Sequence, residues 1–168
     1  MAAPNPERES LPHVSLRSAQ PDDREFLLRV YASTREPEML SWGWPAAEQS
    51  RFIQMQFDAR ARGYAVSYPA AAESVVLAND EPAGSILVLR ASQELRLVDI
   101  ALLPQFRNLG ITSALLGALI AESVHKKIPL RLSVVKGNRA ARLYERLGFF
   151  LKSEDAMYCE MEHAAQGN

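Results

Sequence analysis

Cys159 is the only cysteine among the 168 residues, which excludes an intrachain disulfide and the paired spacing of a Cys-x-x-Cys metal site. It falls in an expected strand and is read as a packed thiol. No run approaches the roughly 18 apolar residues of a membrane span. Charge of one sign is also lacking: the net charge is −1 and the pI about 6.3, so no electrostatic footprint for nucleic acid exists. The first residues carry Glu7 and Glu9 around Arg8 with no apolar block, unlike a secretory leader. A cytoplasmic chain with neither nucleic acid nor membrane as partner is expected. Neither internal repeats nor low-complexity blocks occur, and the three histidines offer no obvious base: His13 opens a strand, His125 lies near a helix C-terminus where a cation is favoured, and His163 falls in the C-terminal tail.

What is present is an ordinary globular composition and a length suited to about one domain. Residues 1–12 read as a loose tail, 13–162 as one domain and 163–168 as a second tail. Val14 to Ser18 alternates as a strand. Pro21, Asp22 and Asp23 then start a helix carrying Phe26, Leu27, Val30 and Tyr31 at helical spacing. Residues 35–45 resist assignment; Trp42 and Trp44 either line a pocket or interface or close one end of the core. A second helix is expected from Pro45 to Arg62, with Phe52, Ile53, Met55 and Phe57 inward and Gly63 as its C-terminal cap. Tyr64 and Tyr68 would follow in a linker.

From Glu73 the period becomes that of strands. Ser74–Ala78, Ala83–Arg90 and Glu94–Leu103 are expected to form an antiparallel meander, with residues 79–82 as its first turn. A helix from Gly110 to Lys126, apolar nearly all round, leads to a strand at 130–134. That strand–helix–strand unit places the two strands parallel. A last helix runs from Asn138 to Gly148, and 149–152 with 156–161 close a hairpin. The expected fold is mixed α/β: a mostly antiparallel central sheet with one splayed parallel pair and about four helices.

Residues 98–116, V-D-I-A-L-L-P-Q-F-R-N-L-G-I-T-S-A-L-L, organise the rest. They combine a buried strand, a turn at Pro104, a loop with Arg107 and Asn108, and a helix start at Gly110. First-turn N–H groups lack intrahelical partners and carry partial positive charge, so this loop is either an anion site or an ordinary connection.

The run from Ile100 through Pro104, Arg107 and Gly110 to Leu116, followed by N-R-A-A-R-L-Y-E-R-L-G-F at 138–149, resembles the GNAT superfamily of acetyl-CoA-dependent N-acetyltransferases. The first stretch is similar to the family's Q/R-x-x-G-x-G/A pyrophosphate loop, and the second to its segment ending Leu-Tyr-x-x-Leu-Gly-Phe. The resemblance implies that acetyl-CoA lays its pantetheine arm along Ile100, Ala101 and Leu102. Its pyrophosphate would rest on Arg107, Asn108, Leu109, Gly110, Ile111, Thr112 and Ser113. An amine of a small molecule or peptide would then attack the acetyl group directly.

Tyr144 is implied as general acid toward the leaving sulfur, since a phenol keeps its proton at neutral pH. Asn138 either contacts the cofactor or only caps its helix. Asp99, inside an apolar strand run, is the candidate base if burial raises its pKa; the alternative is an ion pair with Arg96 or Arg131. Glu94, Glu73 and ordered water are the weaker candidates. Thr112 departs from the family pattern of glycine or alanine, where its β-branch would crowd the phosphates or its hydroxyl would bond them. That departure leaves a second possibility, a catalytically weak or inactive CoA-binding or protein-interaction module. A homodimer burying Trp42 and Trp44 is the third.

Overall fold

The structure, a computed structural model, describes residues 11–39, 41 and 43–165. Its strands are β1 (Val14–Ser18), β2 (Ala71–Ala78), β3 (Glu81–Arg90), β4 (Leu95–Leu102), β5 (Leu130–Val135), β6 (Phe150–Glu154) and β7 (Tyr158–His163). Its helices are α1 (Arg24–Met39), α2 (Ala46–Ser67), α3 (Ile111–Lys126) and α4 (Ala140–Arg146). The strands form one seven-stranded sheet in the order β1-β2-β3-β4-β5-β7-β6. All neighbours run antiparallel except β4 and β5, the pair joined by the α3 crossover, as expected from its length. The mixed α/β fold anticipated above is therefore the observed one.

Each face of the sheet carries its own helices. Val76, Ile86, Val88, Leu95, Leu97 and Leu132 pack with Leu115, Leu116 and Leu119 of α3 and with Tyr144 and Phe149 at α4. On the opposite face Leu27 and Tyr31 of α1 join Ile53 and Phe57 of α2. Only one side of α3 is buried; Val124, expected inside, is 44% exposed. Among the described residues no helix is long and apolar enough to cross a membrane.

Several boundaries differ from expectation, each for a local reason. The first hairpin turns on two residues, Asn79 and Asp80, both at positive φ, the geometry that matches strand twist; Pro82 enters β3 beside a register shift in the β2–β3 ladder. Helix α2 does not stop at Gly63 but runs to Ser67. Gly63 has no positive φ and so is not a left-handed cap; beyond it Tyr64 packs its ring against Arg60 and Tyr68. Met55 points outward, 57% exposed. Helix α1 continues through Pro37 to Met39. The last hairpin is shifted, turning near Asp155, so β7 reaches His163, whose ring meets Phe149 edge-on at 5.5 Å.

Candidate active site

The parallel pair is short. β4 and β5 are in register only at Leu95–Leu130, Arg96–Arg131 and Leu97–Leu132, and then separate. At the point of separation the β3–β4 ladder shifts: Leu87 faces Asp99 and Val88 faces Leu97, leaving Val98 as the extra residue. A one-residue bulge inverts the alternation of side chains beyond it. Without it Asp99 would point into the apolar face under α3. With it Asp99 faces α1 and α2, while Ile100 and Leu102 enter the α3 core.

Between the separated strands lies a cleft of about 870 Å³. Tyr31, Thr34 and Arg35 of α1 form one wall, and Arg60 and Tyr64 of α2, with Tyr68 just past its end, the roof. Asp99 and Ile100 stand on the β4 side, Tyr144 and Asn138 near α4, and Glu154 and Tyr158 on the last hairpin. The five tyrosines of the chain all line this one space.

Asp99 does not pair with Arg96 or Arg131. Its Oδ2 accepts from Arg60 Nη1 at 2.8 Å, and Arg60 lies over the Tyr31 ring at 4.5 Å and the Tyr64 ring at 5.5 Å. Burial pushes the Asp99 carboxyl above its ordinary range, and Arg60 with the Ile100 N–H offsets only part of that rise. Tyr64 is driven up to about 12, first by burial and then by the Asp99 charge. Tyr144 is buried, 8% exposed, with its ring 5.8 Å from Phe149; burial and then Asp99 raise its pKa. The cleft therefore holds a raised carboxyl beside phenols that keep their protons.

Asn138 does cap α4: its Oδ1 accepts from Ala140 N–H at 2.9 Å. Only its amide nitrogen is left for another contact across the cleft.

The loop between β4 and α3 lies outside the cleft, past the end of β4. Asn108 and Gly110 both have positive φ, 62° and 80°, and backbone turned this way gathers N–H groups into an anion-accepting concavity. The first bond of α3 runs from Ala114 N–H to the Gly110 carbonyl, so helix geometry aims the N–H groups of Ile111, Thr112 and Ser113 out of its end. A Cβ on Gly110 would stand 2.8 Å from Leu11 Cδ1. The Arg107 side chain turns away from this concavity: Nε donates to the Leu102 carbonyl at 2.9 Å, and Nη2 to the Ser33 carbonyl and Oγ, both at 3.1 Å. Leu103 N–H bonds the Ala83 carbonyl on β3. By two-residue alternation Ala101 also turns its backbone to β3, and Ile100 and Leu102 turn theirs toward the opening. Of the three residues expected to meet pantetheine, Ile100 thus turns its carbonyl to the opening, while its N–H serves Asp99.

With this geometry in place, comparison with known proteins is decisive. The family model described as the acetyltransferase (GNAT) family matches residues 27–149. The chain belongs to that family. The fold of this GNAT chain is similar to that of the PaiA N-acetyltransferase of Thermoplasma acidophilum, solved in complex with coenzyme A: 19% identity, 90% of this chain and 99% of that one covered, TM-score 0.65. It is also similar to Ard1 from Thermoplasma volcanium, at 19% identity, 92% and 99% coverage and TM-score 0.61. PH1933 from Pyrococcus horikoshii gives 16% identity, 93% and 100% coverage and TM-score 0.65. No curated protein matches the sequence significantly. Membership of the GNAT family makes the chain an acyltransferase in type.

The remaining site residues of this GNAT domain sort by their partners. Glu94, pushed upward by burial, is nevertheless held below the carboxylate range by Arg96 and Arg131, which makes it a poor base. Arg96 also bonds Glu160, and Arg131 bonds Glu162. Glu73 shares a cross-sheet row with Leu87 and Asp99, about two strand spacings (~10 Å) from the carboxylate; burial raises it. Trp42 lies outside the described residues. Trp44 is 43% exposed and meets Phe52 edge-on at 5.5 Å. Arg60, Tyr31, Thr34 and Arg35 were not foreseen. Arg60, Tyr64 and Tyr68 recur every four residues, a signal that emerges once the helix is carried past Gly63.

Proposed function

We propose that this GNAT chain transfers an acetyl group from acetyl-CoA directly to an amine of a small molecule or peptide. The observation that carries the reading is the opened β4–β5 joint, which puts Asp99 and Tyr144 on one cleft with the anion-accepting loop beyond it. About three residues of β4, ~10 Å, separate Asp99 from the strand end, so one extended ligand spans both places. The Ile100 carbonyl and the N–H groups at 108–113 fit such a ligand, with the Asn138 amide at its side.

Acetyl-CoA, when bound, supplies an activated acyl thioester. An alkylamine with a reference pKa near 10.4 arrives mostly protonated, and Asp99, whose proton affinity burial raises, accepts its proton directly or through one water. The amine nitrogen then forms a bond to the acetyl carbon as the carbon–sulfur bond breaks, sulfur leaves with the electron pair, and the nitrogen releases its second proton to water. Tyr144 donates its hydrogen bond to that sulfur. A thiol's reference pKa, about 8.5, lies below that of a phenol, and Tyr144 is raised further. Its contribution is therefore a hydrogen bond that strengthens as charge collects on sulfur.

Calorimetric titration with acetyl-CoA, paired with thiol release in the presence of amines, tests the reading. Micromolar binding that weakens without the pyrophosphate, together with amine-dependent release, is expected. Absence of binding at millimolar acetyl-CoA would reject it and favour a protein-interaction module with Thr112 obstructing the loop.

A further inference from the structure

The mouth of the cleft carries charges of both signs, and they differ in what they already hold. Glu160 is bonded to Arg96 at 2.6 Å and accepts from the Ser133 hydroxyl. Glu154 lies 3.2 Å from Lys136, and Asp155 accepts the N–H groups of Met157 and Tyr158 at 2.7 Å each. Asp99 has Arg60. A second cationic group on the acceptor would meet only carboxylates that are already engaged.

Arg35 is different. Among the described residues its Nε is the one buried side-chain nitrogen or oxygen without a hydrogen-bond partner. Its Nη2 lies 3.1 Å from Glu38 Oε2, a contact to a residue that is itself more than half exposed. Exposed Glu38 on the same helix is thus its carboxylate partner, whereas Arg60 and Arg96 of the same lining are bonded to Asp99 and to Glu94 and Glu160. An ion pair to an exposed carboxylate contributes little, so Arg35 exchanges Glu38 for a carboxylate of a ligand in the cleft at small cost. Arg35 stands four residues after Tyr31 on α1, one helical turn or ~6 Å along the axis, beyond the Tyr31–Arg60–Asp99 stack. Both line one cleft, so an acceptor with its amine at Asp99 and a carboxylate at Arg35 uses both charges, with the tyrosines contacting its uncharged body.

We infer that the acceptor is an amine bearing a carboxylate, an amino acid or a close analogue, and that Arg35 is the residue selecting the acid group; this rests on the acetyltransferase reading of the same cleft. The probes are phenylalanine, phenylalaninamide and phenethylamine, which keep the amine and ring and differ in the acid. Calorimetry in the presence of coenzyme A reads binding, and thiol release from acetyl-CoA reads transfer. The acid is expected to bind at least tenfold more tightly than the amide or the plain amine. Arg35→Gln abolishes that preference by raising KM for the acid more than it lowers kcat, Arg35→Lys restores part of it, and Glu38→Gln, which frees the fork, tightens acid binding. Coenzyme A affinity is unchanged in all three variants. Equal binding of acid and amide by the parent protein, or an acid preference that survives Arg35→Gln, would overturn the assignment whatever the turnover. Acid binding that depends on Arg35 without any thiol release would leave the acid site standing and reject the transferase reading instead.

Discussion

Asp99 sits 2.8 Å from a guanidinium and still has a raised pKa, because removal from water outweighs one ion pair. The direction has a kinetic consequence. A base above the ordinary carboxylate range is protonated in mild acid, so transfer at saturating substrate rises with pH through a limb above the reference value of about 3.9. Asp99→Asn removes that limb and lowers kcat by about 10²-fold, the low end for a proton-transfer group; an unchanged pH profile would move the base role to water or Glu73. Tyr144→Phe preserves the ring contact with Phe149 and removes only the hydroxyl. It is expected to lower kcat by about 10²-fold while acetyl-CoA affinity, read by calorimetry, stays within twofold. Unchanged turnover would take Tyr144 out of the mechanism.

Local patterns often decide where an element ends, yet two helices here continue past their breakers. In α1 the breaker serves the site. Pro37 has no N–H for the carbonyl four residues earlier, at Ser33, and that carbonyl receives Arg107 instead. The same arginine holds the end of β4 through Leu102, so α1, β4 and the anion-accepting loop are tied at one side chain. In α2 the breaker is only a cost. Gly63 lies in helical interior without positive φ, and a Cβ there would meet nothing within 4 Å. Gly63→Ala is therefore expected to stabilise the protein by about 0.5–1 kcal/mol. At 2–4 °C per kcal/mol for a chain of this size, the melting temperature rises by about 1–4 °C. A fall in melting temperature would mean that the glycine serves a motion or contact the helix does not reveal. Neither continuation was legible from sequence, because glycine and proline report what the backbone prefers locally, and a long-range bond or a packed tyrosine overrides it. The Val98 bulge was hidden for the same reason: Leu97 to Leu103 reads as one apolar run with a single acid in it.

At the level of the whole molecule, the antiparallel meander and the parallel pair were legible, since short turns force antiparallel neighbours and a helix-length crossover forces a parallel one; the seating of β7 between β5 and β6 was not. Arg60 as the partner of Asp99 was not, for the two are joined only through the packing of α2 over the sheet. The proposed ligand site is in two parts, the opened cleft and the loop beyond β4, with Arg107 bonded to the strand end between them. A ligand engaging both parts gains from the link between its own halves, because the second contact becomes intramolecular. Acetyl-CoA at one hundred times its dissociation constant should then stabilise the protein by about 2.7 kcal/mol, raising the melting temperature by about 5–11 °C. Pantetheine alone and adenosine 3′,5′-bisphosphate alone, at the same concentration, should each shift it by less than about 2 °C, and their mixture should not reproduce the intact molecule. If the nucleotide half alone gave the full shift, the separated strands would have no part in binding, and the cleft beside Asp99 would belong to the acceptor by itself.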